Sequence, residues 1–161
     1  SSNLTYTRGA SSGWGFAMAT VGKSTGKWYW EVSPSKAGSI NTIVGVATAT
    51  SSTTVYPGSP DTTGLGVYAY NGGVYRAGLG TGGSFASYTG GDVIGFAFDA
   101  DVKSLRAYKN GTLVATYTYV TNVGALYPAA APFDAANSVT ANFGQSSFKY
   151  APPAGYNAGL W

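Results

Sequence analysis

Glu31, Asp61, Asp92, Asp99, Asp101 and Asp134 are the whole acidic inventory of this chain, and histidine and cysteine are both absent. Without imidazole there is no Ser-His-Asp triad and no histidine-held metal. Without thiols there is no disulfide framework, no cysteine nucleophile and no thiolate site. Cleavage of a glycosidic bond needs two carboxylates facing one cleft. Glu31 belongs to a strand beside Trp30, and Asp92 and Asp99 flank another strand. Only Asp61 and Asp134 fall in loops, and nothing in their spacing pairs them. A polysaccharide-degrading enzyme is therefore the last of the functional readings; no catalytic residue and no cofactor is expected. Asp99-Ala100-Asp101 alternates carboxylates as calcium loops do, but calcium takes about six to eight oxygens. Val102-Lys103-Ser104 then supplies one hydroxyl and a repelling ammonium. A hairpin turn accounts for the segment, and no metal is expected.

Binding chemistry has better-placed residues. Tyr56-Pro57-Gly58-Ser59-Pro60-Asp61 joins an aromatic ring to two prolines that stiffen the backbone. Preorganised loops lose less entropy on binding, and tyrosine is a frequent hot spot. Ala131-Pro132-Phe133-Asp134-Ala135-Ala136-Asn137 offers a second such loop. The expected ligand contacts are Tyr56, Pro57, Pro60, Asp61, Phe133, Asp134 and Asn137, with Arg76 added from a neighbouring turn. Phe85 and Tyr88 are weaker candidates around the loop at 78–83. Trp14 is expected to pack against the fold and not to stack on a ligand. The alternative for Tyr56 and Phe133 is that they only plug the ends of the fold.

The elements that must position these loops read as strands. Trp28, Trp30 and Val32 alternate with Tyr29 and Glu31, and Ile94, Phe96 and Phe98 form a second inward row. With Phe143, these rings are the expected core. Val139, Ala141 and Phe143 alternate with Thr140 and Asn142, and Tyr117-Thr118-Tyr119-Val120 is rich in strand-favouring types. No stretch sustains a helical apolar stripe. Asn110-Gly111 and Asn71-Gly72-Gly73 are hairpin signals, because their residues accept positive φ. Short strands between glycine-rich turns predict two packed antiparallel sheets in one domain spanning 1–161. The one long interval without strand character runs from Thr48 to Thr63, a length common in binding loops.

Composition narrows the partners. Charged residues make up only 9% of the chain, against roughly 25% in ordinary soluble domains. The net charge is +3, and the lysines and arginines are scattered singly. Nucleic-acid binding needs cations along one track, so none is expected. No apolar run reaches the roughly 18 residues of a membrane span, and no insertion is expected. A hydroxyl-rich, charge-poor surface suits an extracellular, bacterial-surface or virion setting, with the cytoplasm left open. The chain has the appearance of a domain excised from a longer protein and monomeric by itself.

Several runs resemble the SPRY domain family in order along the chain: Gly26-Lys27-Trp28-Tyr29-Trp30-Glu31-Val32, Val44-Gly45-Val46-Ala47 and 91–99. Tyr108-Lys109-Asn110-Gly111, Leu126-Tyr127-Pro128-Ala129, Asn142-Phe143-Gly144, Phe148 and 152–156 continue the series. The resemblance implies an all-β, concanavalin A-like jelly-roll sandwich that recognises a protein, peptide or other ligand without catalysis. It also implies that the two candidate loops are neighbours contributing to one partner surface, so that Tyr56 and Phe133 meet at one end. In its excess of Ala, Gly, Ser and Thr the chain is similar to SPRY-like modules of bacterial surfaces and phage tails. A receptor-binding module for a cell-surface protein or glycan is the resulting expectation. A structural or assembly domain of a fibre is the alternative.

Overall fold

The period-two pattern becomes strand after strand in the computed structural model, which describes residues 4–9, 13–35, 40–49, 54–60, 63–78, 81–118 and 124–161. In chain order the strands are β1 (Thr5–Thr7), β2 (Ala17–Met18), β3 (Lys27–Pro34), β4 (Thr42–Ala47) and β5 (Gly64–Tyr68). There follow β6 (Val74–Ala77), β7 (Thr81–Gly82), β8 (Ile94–Asp99), β9 (Ser104–Lys109) and β10 (Thr112–Thr118). The last are β11 (Tyr127–Pro132), β12 (Ser138–Asn142) and β13 (Asn157–Ala158). No helix occurs among the described residues. One sheet runs β1-β12-β3-β8-β9-β10-β7, with β13 beside β3; the other runs β2-β11-β4-β5-β6. Neighbours are antiparallel except β13 and β3.

The core lies between the sheets. Trp30, Val32, Ile94, Phe96, Phe98 and Leu105 from the larger sheet share one apolar cluster with Val44, Val46, Leu65 and Val67 from the smaller. Trp30 and Phe96 face each other across the β3–β8 register with ring centroids 5.6 Å apart. Trp28 and Phe143 differ from the expectation, being only partly buried at the margin of this cluster. Trp28 stands at the start of its strand, where Thr25 O accepts its indole N–H at 2.6 Å and the Lys23 ammonium lies 3.7 Å over its ring. That cation–π contact belongs on the surface. Phe85 and Tyr88 also differ: they are 7% and 3% exposed and close the core from a loop. Tyr88 donates its hydroxyl to Val67 O at 2.8 Å.

The turns are held as the residue types require. Asn110 and Gly111 join β9 to β10 at φ 50° and 79°. Asp92 accepts the Thr89 amide at 2.9 Å and the Asn110 side-chain amide at 2.7 Å, and Lys109 lies 3.3 Å away. Between β8 and β9, Asp99 accepts the amides of Asp101 and Val102 and pairs with Lys27 at 3.1 Å. Asp101 accepts the Gly26 amide at 2.9 Å. Both carboxylates of the Asp99-Ala100-Asp101 run are thus engaged in fixing a turn.

The outer face of the larger sheet is covered at its middle, over β3. Tyr29 and Glu31 point away from the core, yet they are 2% and 3% exposed. The chain beyond β12 crosses them. Glu31 accepts the amides of Lys149 at 2.8 Å and Tyr150 at 2.9 Å, and the Tyr29 hydroxyl at 3.1 Å. Phe148 meets the Tyr29 ring edge-on at 5.1 Å. The segment then returns as β13 along β3, and Leu160 enters the core.

Candidate functional site

The outer face of the smaller sheet is covered differently. In β5 the side chains of Leu65 and Val67 enter the core, so Gly64, Gly66 and Tyr68 face outward. The two glycines leave a floor on which another backbone can lie. A Cβ at Gly66 would collide with the Pro57 carbonyl and the Ile43 side chain. Pro57 and Gly58 rest on that floor as the middle of a turn, with Ser59 donating its amide to Tyr56 O at 3.1 Å. Gly58 has φ 79°. Proline followed by glycine at positive φ is what a type II turn requires. The turn aims the Tyr56 ring along the sheet surface, edge-on to Tyr75 of β6 at 5.0 Å.

Trp14 is the hub of the patch. Its neighbours Gly13 and Gly15 donate their amides to Phe133 O and Pro132 O at 3.1 and 3.0 Å, which tie this stretch alongside the end of β11. The indole lies 4.9 Å from the Tyr56 ring, 5.0 Å from Phe133 and 5.9 Å from Tyr68. Tyr68 continues to Tyr75 at 6.3 Å and to Tyr70 at 6.1 Å. All are half-buried except Tyr70, which is 61% exposed. The result is an apolar surface of six connected rings, each pair worth about 0.5–1.5 kcal/mol beyond area burial.

A polar chain borders the rings. Tyr68 donates its hydroxyl to Asn41 Oδ1 at 2.6 Å, and Asn41 Nδ2 donates to Asp134 Oδ2 at 2.9 Å. Asn41 O in turn accepts the Phe133 amide at 2.8 Å. Burial first, then the neighbouring Tyr75, Asp134 and Tyr70, holds the Tyr68 phenol above its ordinary pKa. Asp134 is half-buried, fixed at the margin of the aromatic surface.

Of the expected contacts, Tyr56, Phe133 and Asp134 are brought together here, on the outer face of the smaller sheet and not at an end of the sandwich, the two rings through Trp14 and not directly. Pro60 is exposed at the end of its turn, and Asp61 lies outside the described residues. Two contacts need correction. Pro57 is buried because its carbonyl lies over Gly66. Asn137 is 1% exposed because it closes the loop from inside, donating its amide to Asp134 O at 3.1 Å. Both residues are buried and position the patch. Arg76 is also elsewhere: it follows Tyr75 in β6 and so takes the other side of the strand, donating Nη1 to Gly82 O at 2.9 Å. Trp14 packs, as expected, but at the centre of the surface.

Sequence reasoning missed Tyr68, Tyr70, Tyr75 and Asn41. A signal for Tyr68 was present: in Gly64-Leu65-Gly66-Val67-Tyr68, glycines alternate with core residues and leave the tyrosine outward. The Pro57-Gly58 pair named its turn type in the same way.

The comparisons with known proteins agree with this architecture. The structure is similar to the SPRY domain of human HERC1, with a TM-score of 0.72 and 23% identity over 89% of this chain and 91% of that one. It is similar to a further human SPRY domain, with a TM-score of 0.68 and 23% identity over 92% and 96%. No curated protein sequence matches the chain. The family model for the SPRY domain, a β-sandwich used generally for protein–protein interaction, matches residues 27–146. With the order of its strands and that match over more than half of its length, the chain belongs to the SPRY domain family.

Proposed function

We propose that this chain is a non-catalytic recognition domain that binds a surface receptor, through a protein or peptide segment, on the aromatic patch around Trp14. The observation that carries the reading is the meeting of Tyr56 and Phe133 on the Trp14 ring, with Tyr70 exposed beside them. Aromatic residues in such clusters dominate binding energy when a partner covers them. The carboxylates of Glu31, Asp92, Asp99 and Asp101 hold strands and turns, which supports a domain without catalysis. The charge-poor, hydroxyl-rich composition supports an extracellular or virion-borne setting such as a phage tail, where the same rings would also suit a glycan.

The test is selection of binders from a displayed random-peptide library on the intact chain, followed by affinity and melting measurements on variants. Tyr56→Ala and Phe133→Ala should each weaken the selected binders by about 1–3 kcal/mol. The ring contacts imply a stability loss of about 1–3 kcal/mol for Tyr56→Ala, which has two ring partners, and about 0.5–1.5 kcal/mol for Phe133→Ala, which has one. Trp30→Ala should cost about 3–5 kcal/mol of stability through a core cavity, leaving the affinity of the folded fraction unchanged. Full affinity in both loop variants would overturn the reading.

A further inference from the structure

We infer that the patch takes a cationic group of the partner, an arginine or lysine side chain, between Asp134 and the aromatic rings. The inference rests on the reading of the patch as the recognition surface and specifies the chemistry of what it takes. Asp134 is the only charged group in the hydrogen-bond chain that borders the rings. The ion pairs among the described residues are Lys27–Asp99 and Lys109–Asp92, and neither involves it. Arg8 runs beside the same loop, exchanging backbone bonds with Ala136 and Asn137, but its Nε donates to Gly13 O at 2.9 Å. The two donors that reach the Asp134 carboxylate, Asn41 Nδ2 at 2.9 Å and Asn137 Nδ2 at 3.4 Å, both meet Oδ2. Among the described residues Oδ1 accepts from no donor, and it and its charge are left for an incoming one.

The surroundings select the kind of donor. The loop is rich in acceptors, and Asn137 Oδ1, buried within it, also meets no donor among the described residues. A ligand carboxylate or phosphate would face repulsion without compensation. Asn41 bridges the Tyr68 hydroxyl to the Asp134 carboxylate, and Asp134 acts electrostatically on the Tyr68 phenol, so the carboxylate stands at the border of the ring cluster. Aromatic faces attract cations, and guanidinium adds planar donors for a carboxylate. A neutral sugar hydroxyl could donate to Oδ1 but would leave its charge uncompensated.

The test titrates the isotope-labelled chain with N-acetyl-arginine amide, with N-acetyl-citrulline amide, and with a neutral methyl glycoside. The resonances followed are the Trp14 indole N–H and the Asn41 side-chain amide. Arginine amide should shift both saturably and bind about fivefold or more tightly than its uncharged citrulline counterpart. Asp134→Asn should abolish that preference and Asp134→Glu should keep most of it, with thermal melts of both variants showing that they fold. Equal binding of the two amides, absence of shifts at these resonances, or tighter binding by the glycoside would each overturn the inference. Selected peptides that need Tyr56 and Phe133 but ignore Asp134→Asn would leave the recognition surface standing and remove only its cation.

Discussion

Glu31→Gln should loosen the C-terminal cover of the larger sheet, and its cost can be worked from the contacts. The carboxylate is almost wholly buried and takes three donors: the amides of Lys149 and Tyr150 and the hydroxyl of Tyr29. Glutamine is nearly isosteric, but it has one carbonyl oxygen and one amide. With Oε1 turned to Tyr150 and Tyr29, as in the parent, Nε2 faces the Lys149 amide, donor against donor. A hydrogen bond to a charged group is worth about 1.5–3 kcal/mol, a neutral one about 0.5–1.5, and a buried unmet donor costs about 1–3. The substitution should therefore cost about 2–4 kcal/mol. For a domain of this size that lowers the melting temperature by about 4–16 °C. Tyr29→Phe, which removes only the longest of the three bonds, should cost about 1 kcal/mol. Thermal unfolding gives the total, and hydrogen exchange at the Lys149 and Tyr150 amides localises it. A Glu31→Gln melt within about 0.5 kcal/mol of the parent, with both amides still protected, would refute the argument.

Gly66→Ala should lift the loop that carries Tyr56, since the new methyl meets the Pro57 carbonyl and cannot pass the Ile43 side chain. A loss of about 1–3 kcal/mol in stability and weaker binding of patch ligands are expected; unchanged binding would place the ligand away from Tyr56. The domain should also lose stability in alkali. Burial pushes the Tyr117 phenol up to about 12, with Arg76 acting in the opposite sense, and burial likewise raises Tyr29 and Tyr88. Unfolded tyrosine ionises near 10, so between pH 10 and 12 the folded state holds protons that the unfolded state has released. The stability is complete below pH 10 and falls as pH rises through that window. Denaturant titrations at stepped pH, with phenolate absorbance as the second probe, would show it, and a flat profile would refute it.

How much of this could be read from the sequence differs between strands and faces. The rows Trp30-Val32 and Ile94-Phe96-Phe98 announced their own register, because burial on one face forces alternation. The hairpin at Asn110-Gly111 was legible for a similarly local reason, as positive φ suits those residues. Tyr29 and Glu31 could not be read as buried. Their cover comes from residues more than a hundred positions later, and no local pattern announces it. The site divides in the same way. Tyr56, Phe133 and Asp134 stood out as loop residues without a strand to serve, but Pro57 and Asn137 in the same loops serve the fold. What separates them is the glycine floor of β5 and the closure of the 133–137 loop, both of which are tertiary facts.

The outer faces also explain why plug and binding site are poor alternatives for Tyr56 and Phe133. A sandwich has two outer faces, and a chain with 9% charged residues has few ions with which to solvate them. The larger sheet closes the middle of its face with the C-terminal segment, which leaves Tyr29 and Glu31 almost wholly buried. The smaller sheet is covered by Trp14 and the Tyr56 turn, whose rings remain half-buried and so still have apolar area to give to a partner. Such rings contribute to stability in the free domain and to affinity in the complex, so truncating one should lower both together. Asp134 contributes almost no apolar cover. Replaced by asparagine, it keeps an oxygen for Asn41 Nδ2 and Asn137 Nδ2, now as a neutral acceptor. The melt of Asp134→Asn should therefore show a loss of only about 1–2 kcal/mol, the difference between charged and neutral acceptance at Oδ2, with the fold retained. Loss of the preference for arginine over citrulline in a variant that still folds, at that one residue, is the outcome that a mere plug of the fold would never produce.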